Sequence, residues 1–323
     1  MASIAEINGL TIPASGGAFL LDQSYASGAA AAYSVRRLSS STGALIRVRR
    51  VTGVGNTGND DEADFRYDSN NELSLNSPIS NADTGVNSTT LGSFLNVGTV
   101  NGVTYPDTDS LSNTAEGYCD SWYDQSGNSN DATQSTPGNQ PQIHDGTVNT
   151  DLITENGKPA LDFDGSAQFP LSLSGLNINN LSAVTVCQSN ATSGSKMQFT
   201  LNTGGNHRYW HYMYNGDDTM QYGGPGASWR VNHGAMDTNQ RLRTFIAGST
   251  STVARSFLNG TQGSTTPALV NATLTASQQV LGNYHTSNLR WNGTMQEFIV
   301  WGADQFNNRS DIENNMNSHF QIY

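Results

Sequence analysis

The chain reads Tyr123-Asp124-Gln125-Ser126-Gly127-Asn128-Ser129-Asn130-Asp131-Ala132-Thr133-Gln134 at the end of a strand-like run, Tyr118–Tyr123. Gly127 can adopt the positive φ that a tight turn requires, and Asn128, Asn130 and Asp131 can cap the backbone groups of such a turn. We interpret this segment as a structural turn. The alternative is a calcium site, because Asp124, Asn128 and Asp131 also offer oxygen ligands, although their spacing does not match an EF-hand loop.

Short strand-like runs separated by polar turns continue on both sides of this segment. The runs are Ala44–Val51, Lys158–Phe163, Ala183–Gln188, Met197–Leu201, Tyr209–Tyr214, Arg243–Gly248, Ala254–Leu258, Gln279–Gly282 and Thr294–Trp301. Asn259-Gly260 is a typical hairpin turn. Many short strands with dense turns predict an all-β sandwich.

A few short helices complete the expected fold. The alanine-rich run Ala29–Leu38 favours a short helix, and Ala82–Leu95 has room for another. Near the C-terminus, Ile312, Met316 and Phe320 recur every four residues, which predicts an amphipathic helix packed on the sandwich. No repeat or internal domain boundary is visible, so we expect one domain over residues 18–323.

The composition excludes some classes of partner. The chain has 323 residues, of which 35% are hydrophobic and 13% charged, and its net charge is −12. An acidic surface disfavours nucleic acids and anionic membranes, because phosphates are bound by lysine and arginine. No stretch is apolar enough for a membrane span. We therefore expect neither a nucleic-acid partner nor membrane insertion, and no cofactor motif is present.

Residues 1–17 stand apart from the predicted sandwich. A weakly alternating run, Ile4–Ile12, ends at Pro13 and is followed by Ser15-Gly16-Gly17. We expect an N-terminal arm with a hinge, and a frayed terminus is the alternative. The start of the sequence shows no charged segment followed by an apolar run, which favours synthesis in the cytoplasm, with release inside a virus particle as one route to the exterior.

The two cysteines, Cys119 and Cys187, each fall in a strand-like run. We predict two buried free thiols, with a single disulfide as the alternative. Neither cysteine has a spacing that is typical of zinc sites.

Three stretches resemble the catalytic domain of the α-L-arabinofuranosidase B family. They are Ala31–Leu38 continuing through Ser39–Arg50, the Tyr123–Gln134 turn, and the weaker pair Val280-Leu281-Gly282 and Gly293–Glu297. This resemblance implies a concanavalin A-like jelly-roll sandwich. Similar stretches also occur in tailed-phage virion proteins, including head appendages and tail or fibre proteins, which would fit an N-terminal arm.

The catalytic carboxylates of that family have no counterparts at the matching positions. A retaining glycosidase requires two carboxyl groups about 5 Å apart. Lys196-Met197-Gln198 places an amide, Gln198, where the resemblance implies the nucleophile. Leu281-Gly282-Asn283-Tyr284-His285-Thr286 offers no carboxyl group where it implies the acid/base, so Tyr284 and His285 mark a degenerate position. We therefore predict that the chain is not an enzyme.

Other carboxylates are weaker catalytic candidates. The pair Asp217-Asp218 follows Tyr214, and we interpret it as a solvated hairpin turn. Glu297 lies in a strand-like run, and its counterpart resembles a structural glutamate of such sandwiches. We expect structural roles for these residues.

Aromatic side chains offer candidate carbohydrate contacts. Trp210, Tyr212 and Tyr214 alternate along one run and would share a strand face, with Trp229 close by in the sequence and Trp291 beside the degenerate acid/base position. Flat aromatic rings stack on the apolar faces of sugars. The alternative is that these rings are part of the sandwich core or of an interface.

These observations lead to one functional prediction and two alternatives. We expect a non-catalytic virion protein, an appendage on the exterior of a phage head or tail, whose lectin-like domain decorates the particle or attaches to host surface glycans. Residues 1–17 would bind other virion proteins, and the assembly would be a homo-oligomer. The alternatives are an active glycoside hydrolase with displaced catalytic residues and a free carbohydrate-binding module.

Overall fold

The computed structural model describes most of the chain. The described residues are 6–7, 10–11, 19–52, 60–171, 173, 175–177, 180–202, 208–224, 227–247, 254–263, 274–275, 279–284 and 289–323, with the backbone alone for 6–7, 10–11, 208–214, 222–224 and 227–230.

Within these ranges the chain forms twenty-five short strands, two α-helices and two single-turn 3-10 helices, Leu20–Asp22 and Pro137–Asn139. The strands are β1 (Glu6–Ile7), β2 (Leu10–Thr11), β3 (Ala29–Ser34), β4 (Ile46–Val51), β5 (Glu62–Phe65), β6 (Ile79–Ala82), β7 (Gly98–Val100), β8 (Val103–Tyr105), β9 (Glu116–Trp122), β10 (Ala132–Thr133), β11 (Gln142–Asp145), β12 (Thr154–Glu155), β13 (Lys158–Pro159), β14 (Leu161–Asp164), β15 (Phe169–Leu171), β16 (Ser182–Ser189), β17 (Ser195–Asn202), β18 (Arg208–Tyr214), β19 (Asp217–Gly224), β20 (Ala227–Ala235), β21 (Arg241–Ala247), β22 (Ala254–Leu258), β23 (Thr261–Gln262), β24 (Gln279–Leu281) and β25 (Asn292–Trp301). The α-helices are α1 (Leu91–Phe94) and α2 (Arg309–Phe320).

Two antiparallel sheets make up the sandwich. The large sheet runs in the order β23-β22-β21-β16-β25-β14-β11-β9-β4-β5-β6, with β10 paired to β9 and β3 paired to β25. The small sheet runs in the order β15-β24-β17-β18-β19-β20. Neighbours in these sheets are often far apart in the sequence, which is typical of jelly-roll connections rather than simple hairpins. The predicted all-β sandwich is confirmed.

Aromatic side chains from both sheets meet in the core. The rings of Phe199 on β17 and Phe298 on β25 lie 5.1 Å apart between centroids, and those of Trp122 on β9 and Phe169 on β15 lie 6.3 Å apart. Trp122, Phe169, Phe199 and Phe298 are all at most 1% exposed. Such tilted ring pairs add to the stabilisation that burial of their apolar area provides.

The prediction of a helix in Ala29–Leu38 is wrong. Residues Ala29–Ser34 form β3, which pairs antiparallel with β25 along the register Tyr33–Phe298 and Ala31–Val300. Helix propensity is a weak preference that tertiary contacts override. The physical reason is the position of the strand. Ala29, Ala31, Ala32 and Tyr33 are almost fully buried against the sandwich, and the extended backbone completes the hydrogen bonds of β25.

The other helices agree with the sequence. The helix α2 contains the buried residues Ile312, Met316 and Phe320, and Glu313 on it accepts a 2.6 Å hydrogen bond from Thr244 Oγ1 of β21. It therefore packs on the large sheet. The helix α1 falls within Ala82–Leu95 and is capped by Thr90. No helix in the described part of the chain is long and apolar enough to cross a membrane.

The N-terminal arm and the cysteines complete the comparison with the sequence. Of residues 1–17 the structure describes only the backbone of β1 and β2, which pair with each other, so the predicted anchoring role lies outside the described residues. Cys119 and Cys187 are both free and fully buried, as predicted. Burial raises the pKa of both thiols, that of Cys187 to about 11, so neither is a reactive thiolate at neutral pH.

Candidate functional site

The two segments that resemble catalytic positions are neighbours in the small sheet. Strand β24 pairs with β17, and just beyond the pairing Leu281–Phe199 the backbone N–H of Gly282 donates a 2.6 Å hydrogen bond to the carbonyl oxygen of Gln198. Trp291 N–H in turn donates to the carbonyl of Gly282 at 2.8 Å. The sequence predicted Gln198 and the segment after Gly282 separately, and the fold brings them together.

Gln198 points into the interior because β17 carries a bulge at this residue. Met197 pairs with Tyr212 and Phe199 with His211, so Gln198 is the extra residue between them. A bulge redirects the side chain of the inserted residue. The Gln198 side chain is 0% exposed, and its Nε2 donates a 3.0 Å hydrogen bond to Thr185 Oγ1 on β16, across the core.

The second degenerate position is also closed. Asn283 is 6% exposed, and its Nδ2 donates a 2.7 Å hydrogen bond to Gln168 Oε1. Its backbone carbonyl accepts from Thr200 Oγ1 at 3.1 Å. Tyr284 is half-buried, and His285 lies outside the described residues. Gln198 and Asn283, the residue before the degenerate pair Tyr284 and His285, are therefore amides that are held by neighbouring side chains and buried.

Two buried acceptors at this place have no hydrogen-bond partner among the described residues, Gln198 Oε1 and Asn283 Oδ1. An unpaired buried acceptor costs about 1–3 kcal/mol. Neither amide can act as a nucleophile or exchange a proton as a carboxyl group would. Neither Gln198 nor Asn283 therefore supplies a carboxyl group where the two segments meet.

Asp218 is not in a solvated turn, so that prediction is wrong. It belongs to β19, is 3% exposed, and accepts hydrogen bonds of 3.0 Å and 2.6 Å from the Nε and Nη2 of Arg243. Arg243 Nη1 also donates to Cys187 Sγ at 2.9 Å. No sequence pattern indicates this internal ion pair, because β19 and β21 belong to different sheets that meet only in the folded chain.

Glu297 has the structural role that the sequence predicted. Its carboxylate accepts hydrogen bonds from Arg36 Nε at 2.7 Å and Arg36 Nη2 at 2.9 Å, and from Ser34 Oγ at 2.7 Å. The residue is 0% exposed. This two-point ion pair joins β25 to the end of β3, and the carboxylate has no access to a substrate.

The Tyr123–Gln134 segment is the structural turn that its residues indicate. Asp124 accepts from the backbone N–H of Ala32, Ser126 and Asn130, and Asp131 accepts from Asp124 N–H. Asn128 is oriented with its NH2 group towards the carbonyls of Ala29 and Ala30. Because these groups are committed to backbone partners, the geometry does not support the alternative of a calcium site at Asp124, Asn128 and Asp131.

The aromatic candidates divide between the small sheet and the core. Trp210, Tyr212 and Tyr214 take alternate positions on β18, and Trp229 pairs with Tyr222 between β20 and β19. Their side chains lie outside the described part of the chain. Trp291 does lie beside the degenerate acid/base position, as predicted, but it is 0% exposed, so its assignment as a carbohydrate contact is wrong. The ring fills the core next to Gly282.

Comparisons with known proteins point to a fold. No family model and no curated protein matches the chain. Among solved structures, a GH54 α-L-arabinofuranosidase soaked with a cyclic sulfate inhibitor is similar at a TM-score of 0.54 and 14% identity, covering 89% of this chain and 62% of that chain. The arabinofuranosidase complexed with arabinofuranosyl-α-1,2-xylobiose gives a TM-score of 0.50, with the same identity and coverage.

A carbohydrate-binding domain is also among the matches. The CBM40 of the Ruminococcus gnavus IT-sialidase has a TM-score of 0.36 and 10% identity, covering 47% of this chain and 94% of that one. The present chain covers 62% of the arabinofuranosidase structure it matches, which is less than two thirds of that structure's length. At these identities the likeness establishes the fold, a concanavalin-like sandwich of the kind found in GH54 arabinofuranosidases.

Proposed function

We propose that this chain is a non-catalytic, carbohydrate-binding sandwich that is displayed on the exterior of a phage particle. The observation that carries the first part is the pairing of Gln198 with the Gly282–Asn283 segment. The segments whose sequences resemble the two catalytic positions carry the buried amides Gln198 and Asn283 where they meet, and neither segment offers a carboxyl group at the matching residue. A sandwich of this fold that has lost its carboxylates retains the capacity to bind a glycan without cleaving it.

Hydrolysis assays test the loss of catalysis. An aryl α-L-arabinofuranoside should give no turnover above the rate of a buffer blank, because no carboxyl group stands at either position. Turnover that disappears when a single aspartate or glutamate is changed would overturn the proposal in favour of a hydrolase with displaced catalytic residues.

The glycan-binding part rests on the aromatic residues of β18 and β20. Binding to a glycan array should weaken at least tenfold in the variant Trp210→Ala, because an aromatic ring supplies much of the contact with a sugar. The matched control is Phe306→Ala, which removes an aromatic side chain that is 40% exposed just before α2. Equal binding by both variants would count against a glycan site at the aromatic residues of β18 and β20.

The display role is supported by the resemblance of Ala31–Arg50 and Tyr123–Gln134 to virion proteins and by the arm at residues 1–17. Deletion of residues 1–17 should abolish incorporation into particles while the sandwich keeps its circular dichroism spectrum and melting temperature. Normal incorporation of the truncated chain would refute anchoring by the arm. A free carbohydrate-binding module would bind glycans as well and would never be found in particles.

A further inference from the structure

A cavity of about 210 Å³ opens where the chain leaves β3, beside α2. Its walls include Phe19, Arg36, Arg37, Asn71, Asn315 and His319. It lies apart from the Gln198–Asn283 pair and from the aromatic residues of β18. Two adjacent arginines in one concave site are notable in a chain whose net charge is −12.

Arg37 is held in place without a carboxylate. Its guanidinium lies 4.2 Å from the centroid of the Phe19 ring and 4.3 Å from that of the Tyr67 ring. Its Nε and Nη2 donate to the backbone carbonyls of Ser39 at 3.0 Å and Ser40 at 2.6 Å. Stacking and carbonyl contacts fix the orientation of the group without a direct ion pair to its guanidinium.

Seven other described arginines are paired differently. Each of the following has a carboxylate within ion-pair distance: Arg36, Arg47, Arg49, Arg50, Arg241, Arg243 and Arg309. No ion pair of Arg37 occurs within the described residues. Asp22 interacts with it electrostatically, but the Asp22 carboxylate is bonded to Ser39 Oγ at 2.9 Å and Ser40 N–H at 2.9 Å.

Both arginines keep unused donors. A guanidinium has five N–H groups. Arg36 uses three of them, two on Glu297 and one on Asn315 Oδ1 at 2.9 Å, and Arg37 uses three on Ser39, Ser40 and Asn71. Paired guanidinium donors match the geometry of carboxylate and phosphate oxygens.

We propose that this cavity binds a small oxyanion, the carboxylate of an acidic sugar or a phosphate group, through Arg36 and Arg37. Arg37 supplies a positive charge that has no direct ion pair within the described residues, whereas that of Arg36 is balanced by Glu297. The volume fits one anionic group with part of a sugar ring and is below the usual size of a drug-like pocket. The site is independent of the glycan face proposed above.

The test is titration of the full-length protein with D-galacturonate, inorganic phosphate and D-galactose. The readout is the change in the ¹⁵N resonances of the arginine Nε–H groups and of the Asn71 and Asn315 amides. Galacturonate and galactose differ in the carboxylate alone. Saturable shifts with galacturonate or phosphate and none with galactose are expected. Binding of phosphate alone would support an oxyanion site for free or esterified phosphate, whereas equal shifts with galactose, or no saturable shift with any probe, would overturn the proposal.

Variants assign the effect to the cavity. Arg37→Lys keeps the positive charge but loses the paired N–H donors of the planar guanidinium, so it should weaken anion binding about tenfold. Arg255→Lys is the matched control, because Arg255 stacks on Phe306 outside the cavity, 4.4 Å from its ring centroid. Asn70→Trp, at the exposed rim, should block the cavity even if Arg37→Lys fails to fold. Undiminished binding in Asn70→Trp would refute the site, and Trp210→Ala should leave these shifts intact whatever becomes of the glycan face.

Discussion

The backbone N–H of Gly282 donates a 2.6 Å hydrogen bond to the carbonyl oxygen of Gln198, and this contact joins two segments that are more than eighty residues apart in the sequence. It brings Gln198 on β17 close to Asn283, which follows the end of β24. Both amide side chains are buried where the two segments meet.

Restoring the carboxylates at these positions should not create a hydrolase. Gln198 is 0% exposed and Asn283 is 6% exposed, so a substrate has no direct access to either side chain. The double variant Gln198→Glu/Asn283→Asp should show no turnover of an aryl arabinofuranoside. It should also lose about 2–4 kcal/mol of stability, because ionisable groups replace amides in the core.

Gln198→Met is the matched control for stability. It removes the bond to Thr185 together with the unpaired Oε1, and these two changes offset each other to within about 1 kcal/mol. Chemical denaturation measures both variants. Hydrolysis by the double variant would contradict this description of the site. A larger loss of stability in Gln198→Met than in the double variant would contradict it as well.

Gly282→Ala should be strongly destabilising. Its φ is +79°, and a Cβ would lie 2.6 Å from Phe163 Cδ1 and 2.9 Å from the carbonyl oxygen of Ala167. We expect a loss of at least about 3 kcal/mol from strain and overlap. Gly127→Ala is the control: φ is +87° but nothing lies within 4 Å, so only about 1 kcal/mol should be lost. Similar melting temperatures for the two variants would argue against the close packing at Gly282.

Glu297→Gln should destabilise the fold by about 3–5 kcal/mol, because it leaves the charge of Arg36 buried without a partner. Arg36 is 8% exposed and Glu297 is 0% exposed. The comparison is Glu62→Gln, where the partner Arg47 is half-buried and also contacts Asp64 and Asp83, so the loss should be below about 1 kcal/mol. Urea titrations measure the free energy of unfolding of both variants. Equal losses in Glu297→Gln and Glu62→Gln would mean that the buried Arg36–Glu297 pair matters no more to stability than the half-buried Arg47–Glu62 pair.

Calcium should have no effect on the Tyr123–Gln134 turn. The carboxylate oxygens of Asp124 already accept three backbone N–H groups and Ser126 Oγ at 2.7 Å. Addition of calcium or of a chelator should leave the melting temperature unchanged. Asp124→Ala should lower stability by about 2–4 kcal/mol, because several buried donors lose their acceptor. A calcium-dependent rise in melting temperature that Asp124→Ala abolishes would restore the metal interpretation.

His319 should make the protein less stable in acid. Burial, and then the charges of Arg36 and Lys158, lower the pKa of His319 to about 3, so the folded ring stays neutral beside Glu72, which is 3.6 Å away and already bonded to Lys158. The unfolded histidine takes up a proton near pH 6.5. Between these values the unfolded state binds the extra proton, so stability is full above pH 6.5 and falls on acidification by at most about 1.4 kcal/mol per pH unit.

His319→Gln should reduce the loss of stability on acidification between pH 6.5 and pH 4. Denaturation at a series of pH values measures this loss. His144 is a comparison site for the same substitution, since it is 0% exposed and its Nδ1 contacts both Ala115 O and Gly146 N–H at 3.1 Å. An unchanged slope in His319→Gln would show that other groups cause the acid sensitivity.

The sequence by itself determined the class of fold, several of its longer strands and the C-terminal helix. Period-two alternation and dense turns located β9, β16, β17, β18, β21, β22 and β25, and the spacing of Ile312, Met316 and Phe320 located α2. The polar turn at Asp124 was also readable from its local contacts with Ser126, Asn130 and Asp131, although its bonds to Ala29, Ala30 and Ala32 are long-range. These features depend on contacts between residues close in the chain, so short-range patterns encode them.

Tertiary structure decided the rest. The alanine run Ala29–Ser34 became a strand because β25 required a partner there, against its local helix propensity. Asp218 became an internal ion pair because Arg243 reaches it from the other sheet, and Trp291 became core because Gly282 turns the chain beside it. The bulge that turns Gln198 inward is likewise a property of strand pairing. Burial and charge pairing depend on which distant strands meet, and only the folded chain specifies that.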